Sequence, residues 1–373
     1  METGLKFVIY DKTNKFRRSF SEVDASAAFV ANGISTAEFT LDDDDPALDS
    51  IVAKGARCAV WFRGEERFRG RIAETPGTGP TGVVKPRVEG DLRKLWDWQG
   101  WPLTTAPINA QTQAYRNYSG ATETIFKTAL QENLTRLGVP WTVAPSQGRG
   151  SVIPSSKAIA VRFHPLADKV LEPLAADGLV VVLSYHPQTG AVMVDVRPGK
   201  TVPGTLTIDS GVLDSFQFTT VAPTATRAVV GGRQEGENRE LKQYIDAARE
   251  LDWGDIIEVF VDARNTEVGV DILPEAVEAV AEGAPAVGIT VDAVESDVFR
   301  YGKTFVEGDF VNLNVGPLRT REQITSVEVV ENAKGGVIVT PRIGQADAEP
   351  TTEAALGAAV ARLARGQRDQ GRR

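Results

Sequence analysis

A run of short strands near the start of the chain recurs, in the same order, near its end. The first copy spans Gly55 to Gly90 (GARCAVWFRGEERFRGRIAETPGTGPTGVVKPRVEG) and the second Gly308 to Gly344 (GDFVNLNVGPLRTREQITSVEVVENAKGGVIVTPRIG). Each opens on glycine and a short apolar strand, then passes a polar turn into a strand carrying Arg71-Ile72 or Gln323-Ile324. Each closes through a glycine turn on Pro86-Arg87-Val88 or Pro341-Arg342-Ile343. Two similar β units with different material between them set the expected fold class: α+β, mainly β, with two small related β-barrel domains and an α+β insert.

At 373 residues the chain is long enough for more than one core, and a hydrophobic share of 42% with 24% charged residues is that of a globular protein. No stretch approaches the roughly 20 apolar residues of a membrane-spanning helix, and Met1 to Tyr10 lacks the order of a signal peptide. Synthesis and folding in a cytosol is the resulting expectation. Cys58 is the single cysteine, so neither an intrachain disulfide nor a thiolate metal cluster is expected. A net charge of −9 argues against a surface that grips nucleic acid.

The periodicity divides the chain. Residues 1–102 read as a first barrel: Phe7 to Tyr10, Ala37 to Leu41, Ala59 to Phe62, Phe68 to Ala73 and Val83 to Val88 are short strands between polar or glycine turns. Residues 103–201 read as the insert. There Ile125, Phe126, Ala129, Leu130 and Leu134 fall at helical spacing within Thr122 to Leu137, and Gly138 supplies the stop. A second helix is expected over Pro165 to Ala176, and a hairpin over Leu179 to Tyr185 and Ala191 to Arg197. Residues 202–345 read as the second barrel, with Ser215 to Thr220 and Arg227 to Val230 among its strands and a helical insertion near 274–282. Residues 346–373 read as a C-terminal helix running into a disordered basic tail.

Chemistry-bearing constellations are scarce, and no catalytic, cofactor-binding or metal residues are assigned. His164 and His186 each precede proline, a backbone setting suited to turns, and neither has a ligand partner at i+4. The Gly-Lys-Thr triplets at Gly199 and Gly302 lack the upstream glycine of a phosphate loop, where Val194 and Asp297 stand instead. Asp42 to Asp45 places Ala47 and Ala53 where a calcium loop needs glycine and glutamate. Gly231 to Gly236 is followed by an acidic polar run rather than a helix start, so a wide turn is expected. Trp96, Trp98 and Trp101 (LWDWQGWP) admit two uses, packing in a core or interface and stacking on a glycan.

With no catalytic set to guide it, the reading rests on the order of segments. FVIYDKTNKFRRSF, then NGISTAEFTLDDDDPALDSIVAKGARCAVWFRGEERFRGRI, VEGDLRKLWDWQGWP, VVGGRQEGENRE with EVFVDARNTE, and YGKTFVEGDFVNLNV with QITSVEVVENAKGGVIVTPRIG resemble the Gp37-like minor tail proteins of siphoviruses. The resemblance touches most of the chain from Phe7 to Gly344. It implies a structural virion protein at the phage tail tip, similar to the central hubs of contractile-tail baseplates and not an enzyme. It also implies a homotrimer whose two barrels per chain adapt a sixfold tail tube to a threefold tip around the DNA exit channel. The copies would then be related by about sixty degrees around the trimer axis, and acidic chains would surround a lumen that DNA slides through.

Implied partners are the distal tail protein, the tape measure protein and downstream tip or fibre proteins. Because the chain ends soon after the second copy, no lytic module of its own is expected. The alternative is a carbohydrate-binding module of a tail tip, resting on Trp96, Trp98 and Trp101.

Overall fold

The computed structural model describes residues 4–79, 82–233, 236–264, 271–316, 318–334 and 336–344. They form two compact units, one of residues up to Phe216 together with Val291–Gly344, the other Gln217–Thr290. The expected C-terminal helix and tail, 346–373, lie outside the described residues. No described helix is long and apolar enough to cross a membrane.

The first unit opens with β1 (Leu5–Tyr10), β2 (Phe16–Ser21), β3 (Ala25–Val30) and β4 (Thr36–Phe39), then β5 (Arg57–Phe62), β6 (Glu65–Glu74) and β7 (Arg87–Gly90). Alternation places Ala25, Ala27 and Phe29 of β3 in the core and leaves Ser26, Ala28 and Val30 on the other face. Phe7 stacks on Phe39 at 4.4 Å between ring centroids.

The insert comes next, with α1 (Thr122–Leu137), α2 (Leu166–Ala176), β8 (Leu179–Tyr185) and β9 (Val192–Pro198). Ile125, Phe126, Ala129, Leu130 and Leu134 line the buried side of α1, and Gly138 ends it at φ +65° in the left-handed region. These side chains share one core with Val170, Leu171 and Leu174 of α2 and Val194 and Val196 of β9. The insert belongs to the same unit as the first strands because its hairpin docks on them. Asn32 donates to Leu179 O (2.7 Å) and accepts from Val181 N (2.8 Å), while Tyr185 OH donates to Arg69 O (3.0 Å).

After β10 (Thr201–Thr207) and β11 (Leu213–Val221) comes the second unit: β12 (Arg227–Gly231), β13 (Leu241–Ile245), α3 (Ala247–Trp253), β14 (Glu258–Asp262) and α4 (Leu273–Glu282). β12 is the centre of a three-stranded sheet, antiparallel to β13 and parallel to β14. Ala276 and Val280 of α4 pack with Ala228 and Val230 of β12 in a separate core. The strand Arg227 to Val230, expected in a second barrel, lies here instead, and the helix expected as a local insertion near 274–282 is one element of this larger unit. Strand periodicity reveals that a segment is a strand, not which sheet receives it.

The chain returns through β15 (Ala286–Ala293) to β16 (Phe310–Val315), β17 (Leu318–Glu331) and β18 (Val337–Ile343). Two separate barrels are not what the strand order describes, and no closed barrel is found among the described residues. One 13-stranded sheet runs β2-β1-β5-β6-β7-β4-β3-β17-β18-β15-β11, with β16 beside β17 and β10 beside β16. The two copies are joined edge to edge, β3 of the first lying antiparallel against β17 of the second (Ala27↔Val329).

Candidate interaction surfaces

The sequence repeat is also a repeat of strand pairing. The first copy runs β1-β5-β6-β7-β4-β3 and the second β10-β16-β17-β18-β15-β11. Arg57 pairs with Arg71 as Phe310 pairs with Gln323, and Ile72 with Val88 as Ile324 with Ile343. The glycines that open the copies, Gly55 and Gly308, both take positive φ (+79° and +86°). A bulge interrupts the ladder between Ile72 and Glu74 in one copy and between Ile324 and Ser326 in the other, the same place in both. One difference stands out: β1 meets β5 antiparallel, whereas β10 meets β16 parallel.

Across the junction the sheet presents one continuous uncovered face. A row of cross-strand partners reads Arg71, Glu89, Thr36, Ala28, Glu328, Thr340, and the next reads Glu74, Arg87, Glu38, Ser26, Val330, Ile338. A third reads Val30, Ser326, Arg342, Asp292. Directly opposed residues share a face, so these side chains stand together while their neighbours Ala27, Ala37, Val88 and Val329 are buried behind them. Carboxylates outnumber guanidiniums: Glu38, Glu74, Glu89, Glu328 and Asp292 against Arg71, Arg87 and Arg342. Arg71 meets Glu89 at 2.9 Å, and Arg342 meets Glu328 at 3.5 Å. Such a face mixes charges of both signs with the exposed apolar side chains of Val330 and Ile338, and it is not basic.

Behind the junction a loop between β15 and β16 locks the copies together. Tyr301 stacks on Phe29 and Phe62 (5.6 and 5.9 Å), carries the Arg67 guanidinium over its ring at 4.6 Å and donates its hydroxyl to Glu307 (2.8 Å). Burial pushes Glu307 above the usual carboxylate range, against the pull of that hydroxyl and of Arg67 and Arg197. Arg63 grips Glu295 with both terminal nitrogens (2.7 and 2.6 Å). A neighbouring polar knot holds the insert. Arg69, 2% exposed, donates to both oxygens of Glu66 (2.9 and 3.1 Å) and to Asn14 (2.6 Å), between the rings of Tyr10 and Tyr185.

The tryptophans singled out in the sequence are brought together with the insert core. Trp96 and Trp98 pack against it, and Trp98 meets Trp141 edge to face at 5.1 Å. Trp101 meets Phe163 at 6.0 Å and lies under the Arg136 guanidinium at 4.4 Å. Stacking on a pyranose needs an open ring face, and one face of Trp101 is taken by the Arg136 guanidinium. His164 Nδ1 accepts from Arg162 N (3.0 Å) and His186 Nδ1 from Thr189 N (3.4 Å), both local turn contacts. Asp45 caps the next turn through Ala47 N (2.7 Å). Arg239 donates to the carbonyls of Gly231 and Gly232 (3.1 and 3.0 Å) within the second unit, while residues 234 and 235 of the expected wide turn lie outside the described residues.

Sequence reasoning missed a face of the second unit, opposite α4. There Leu241 and Phe260 are 60% and 58% exposed and Ile245 is exposed beside them. Period-two alternation of β13 and β14 was the available signal, but it does not show which face a helix covers.

The molecule resembles solved phage proteins. It matches the 43 kDa tail protein of prophage MuSo2 from Shewanella oneidensis at TM-score 0.54 and 12% identity, covering 91% of this chain and 98% of that one. It matches the prophage tail protein gp18 of Listeria monocytogenes EGD-e at 0.51 and 11%, covering 96% and 99%. A tail protein from Neisseria meningitidis MC58 gives 0.52 and 12%, covering 92% and 97%. At such identities the likeness is one of fold. No curated protein sequence matches the chain. The profile of the siphovirus ReqiPepy6 Gp37-like proteins matches residues 7–345, nearly the whole length. The duplicated strand order, the phage-tail fold and this match lead to one statement: the chain belongs to the siphovirus ReqiPepy6 Gp37-like family.

Proposed function

We propose that the chain is a structural hub of a siphovirus tail tip, assembled as a homotrimer in which two similar β units per chain present a sixfold-like ring to the tail tube and a threefold face to the tip. The observation that carries the reading is the duplication itself. Three copies can match a sixfold partner only if each supplies two equivalent surfaces, and here strand order, register and bulge recur. In this reading the uncovered sheet face lines the passage for DNA. Its excess of carboxylates over arginines withholds the counterion-releasing contacts on which phosphate binding depends.

The distal tail protein, the tape measure protein and downstream tip or fibre proteins are the proposed neighbours, and the virion tail tip the proposed location. The role is mechanical, without catalysis. A reconstruction of the tail tip tests this. The expected density is a ring of six similar β units with threefold symmetry, and a tip in which this chain sits as a single peripheral copy would contradict it.

A further inference from the structure

The junction inside one chain is a template for a junction between chains. On β17 the distal half is flanked by two strands, β18 on one edge and β3 on the other. Its counterpart β6 has β7 on one edge, but beyond Arg71 its other edge has no strand partner among the described residues. A groove of about 480 Å³ opens along that edge, lined by Ala53, Lys54, Gly55, Arg71, Ala73 and Thr75. At the far end of the sheet β11, the counterpart of β3, has β15 on one edge and no strand partner on the other among the described residues. One slot lacks its strand, and one equivalent strand lacks its slot.

We infer that β11 of one copy adds to the distal edge of β6 on a second copy, antiparallel, as β3 adds to β17 within the chain. The registers fix the residues. Thr40 N donates to Asp24 O (2.8 Å) as Val294 N donates to Val212 O (2.7 Å), so Asp24 corresponds to Val212 and Phe29 to Gln217. The shared bulge makes Ala73 the counterpart of Thr325 and Thr75 that of Val327. Phe29 opposes Val327 and Ala31 N donates to Thr325 O (2.9 Å). Gln217 therefore opposes Thr75 of the next copy, and Thr219 N donates to its Ala73 O. Backbone alternation turns the Thr219 N–H away from β15, so its bond lies on the unpaired edge. The contact is head to tail and repeats around a ring.

This inference rests on the ring reading and is tested separately from it. Cys58 is fully buried and burial pushes its thiol up, so it does not interfere. In the full chain carrying T75C and Q217C, mild oxidation should link different copies, because opposed residues of this kind sit about 5.5 Å apart at Cα, within disulfide reach. Neither single variant should link. Independently, T219P removes only an edge donor and should weaken self-association at least about tenfold while circular dichroism and the melting transition stay as in the parent. Interchain linkage together with the T219P loss supports the pairing. An oligomer that neither links nor responds to T219P overturns the pairing and leaves the ring reading standing. A protein that stays monomeric at high concentration, or links only within one chain, overturns the pairing, and the monomer overturns the ring reading with it.

Discussion

Glu307 is a partly buried carboxyl group, held by the Tyr301 hydroxyl at 2.8 Å and shifted upward by desolvation. With its folded pKa above the ordinary value of 4.5, the native state holds the proton more tightly than the unfolded chain. Its contribution to stability is therefore complete below about pH 4.5 and is lost as pH climbs through the raised value. Glu307→Gln keeps an acceptor for Tyr301 and removes the titration. Melting temperatures across that range should fall less steeply with pH in the variant, and parallel curves would contradict the assignment.

Glu123 and Lys127 differ. Both side chains are buried, 0% and 4% exposed, and pair at 2.8 Å one turn apart on α1, with Asp195 joining Lys127 at 2.7 Å. Burial raises the Glu123 pKa, but Lys127 and the Arg149 N–H more than offset it and hold the group below its usual range. Lys127→Met leaves a buried carboxylate without its close cation, held by the Arg149 N–H at 2.9 Å and the more distant Arg149 guanidinium at 3.8 Å, and should cost about 3 kcal/mol in urea denaturation. Adding Glu123→Gln should recover much of that loss. The Glu123–Lys127 pair was not legible in the sequence as more than helical charge, because burial on this scale is set by what packs over the helix.

At the scale of elements, β6 and β7 approach so closely that a Cβ on Gly70 would overlap the Glu89 carbonyl. Gly70→Ala should therefore destabilise the first unit by about 1–3 kcal/mol, read from the denaturation midpoint, with no gain from its better strand propensity. A neutral effect would show that the two strands can separate there. Helix α1 was readable to its ends because periodicity and Gly138 are local signals. The bulge shared by β6 and β17 was not, since Ala73 and Thr325 have unlike side chains and a bulge is a property of the ladder. The tryptophan cluster was legible as aromatic density, whereas the guanidinium over Trp101 comes from Arg136, distant in sequence.

For the whole molecule, the repeat was legible because it is written twice, and the join between its copies was not. Ala27 opposes Val329 across some three hundred residues, and nothing in either strand names the other. The second unit stayed hidden for the same reason: β12 has the alternation of any strand and finds its partners in β13 and β14 rather than in the large sheet. A sheet with one slot and one strand unmatched is incomplete as a single chain, and association of copies would complete it. Native mass measurement of the purified protein tests this most directly. The account predicts a species of three chains, about three times 40.2 kDa, whose share grows with concentration. A stable monomer at every concentration, with no association with tails, would contradict it.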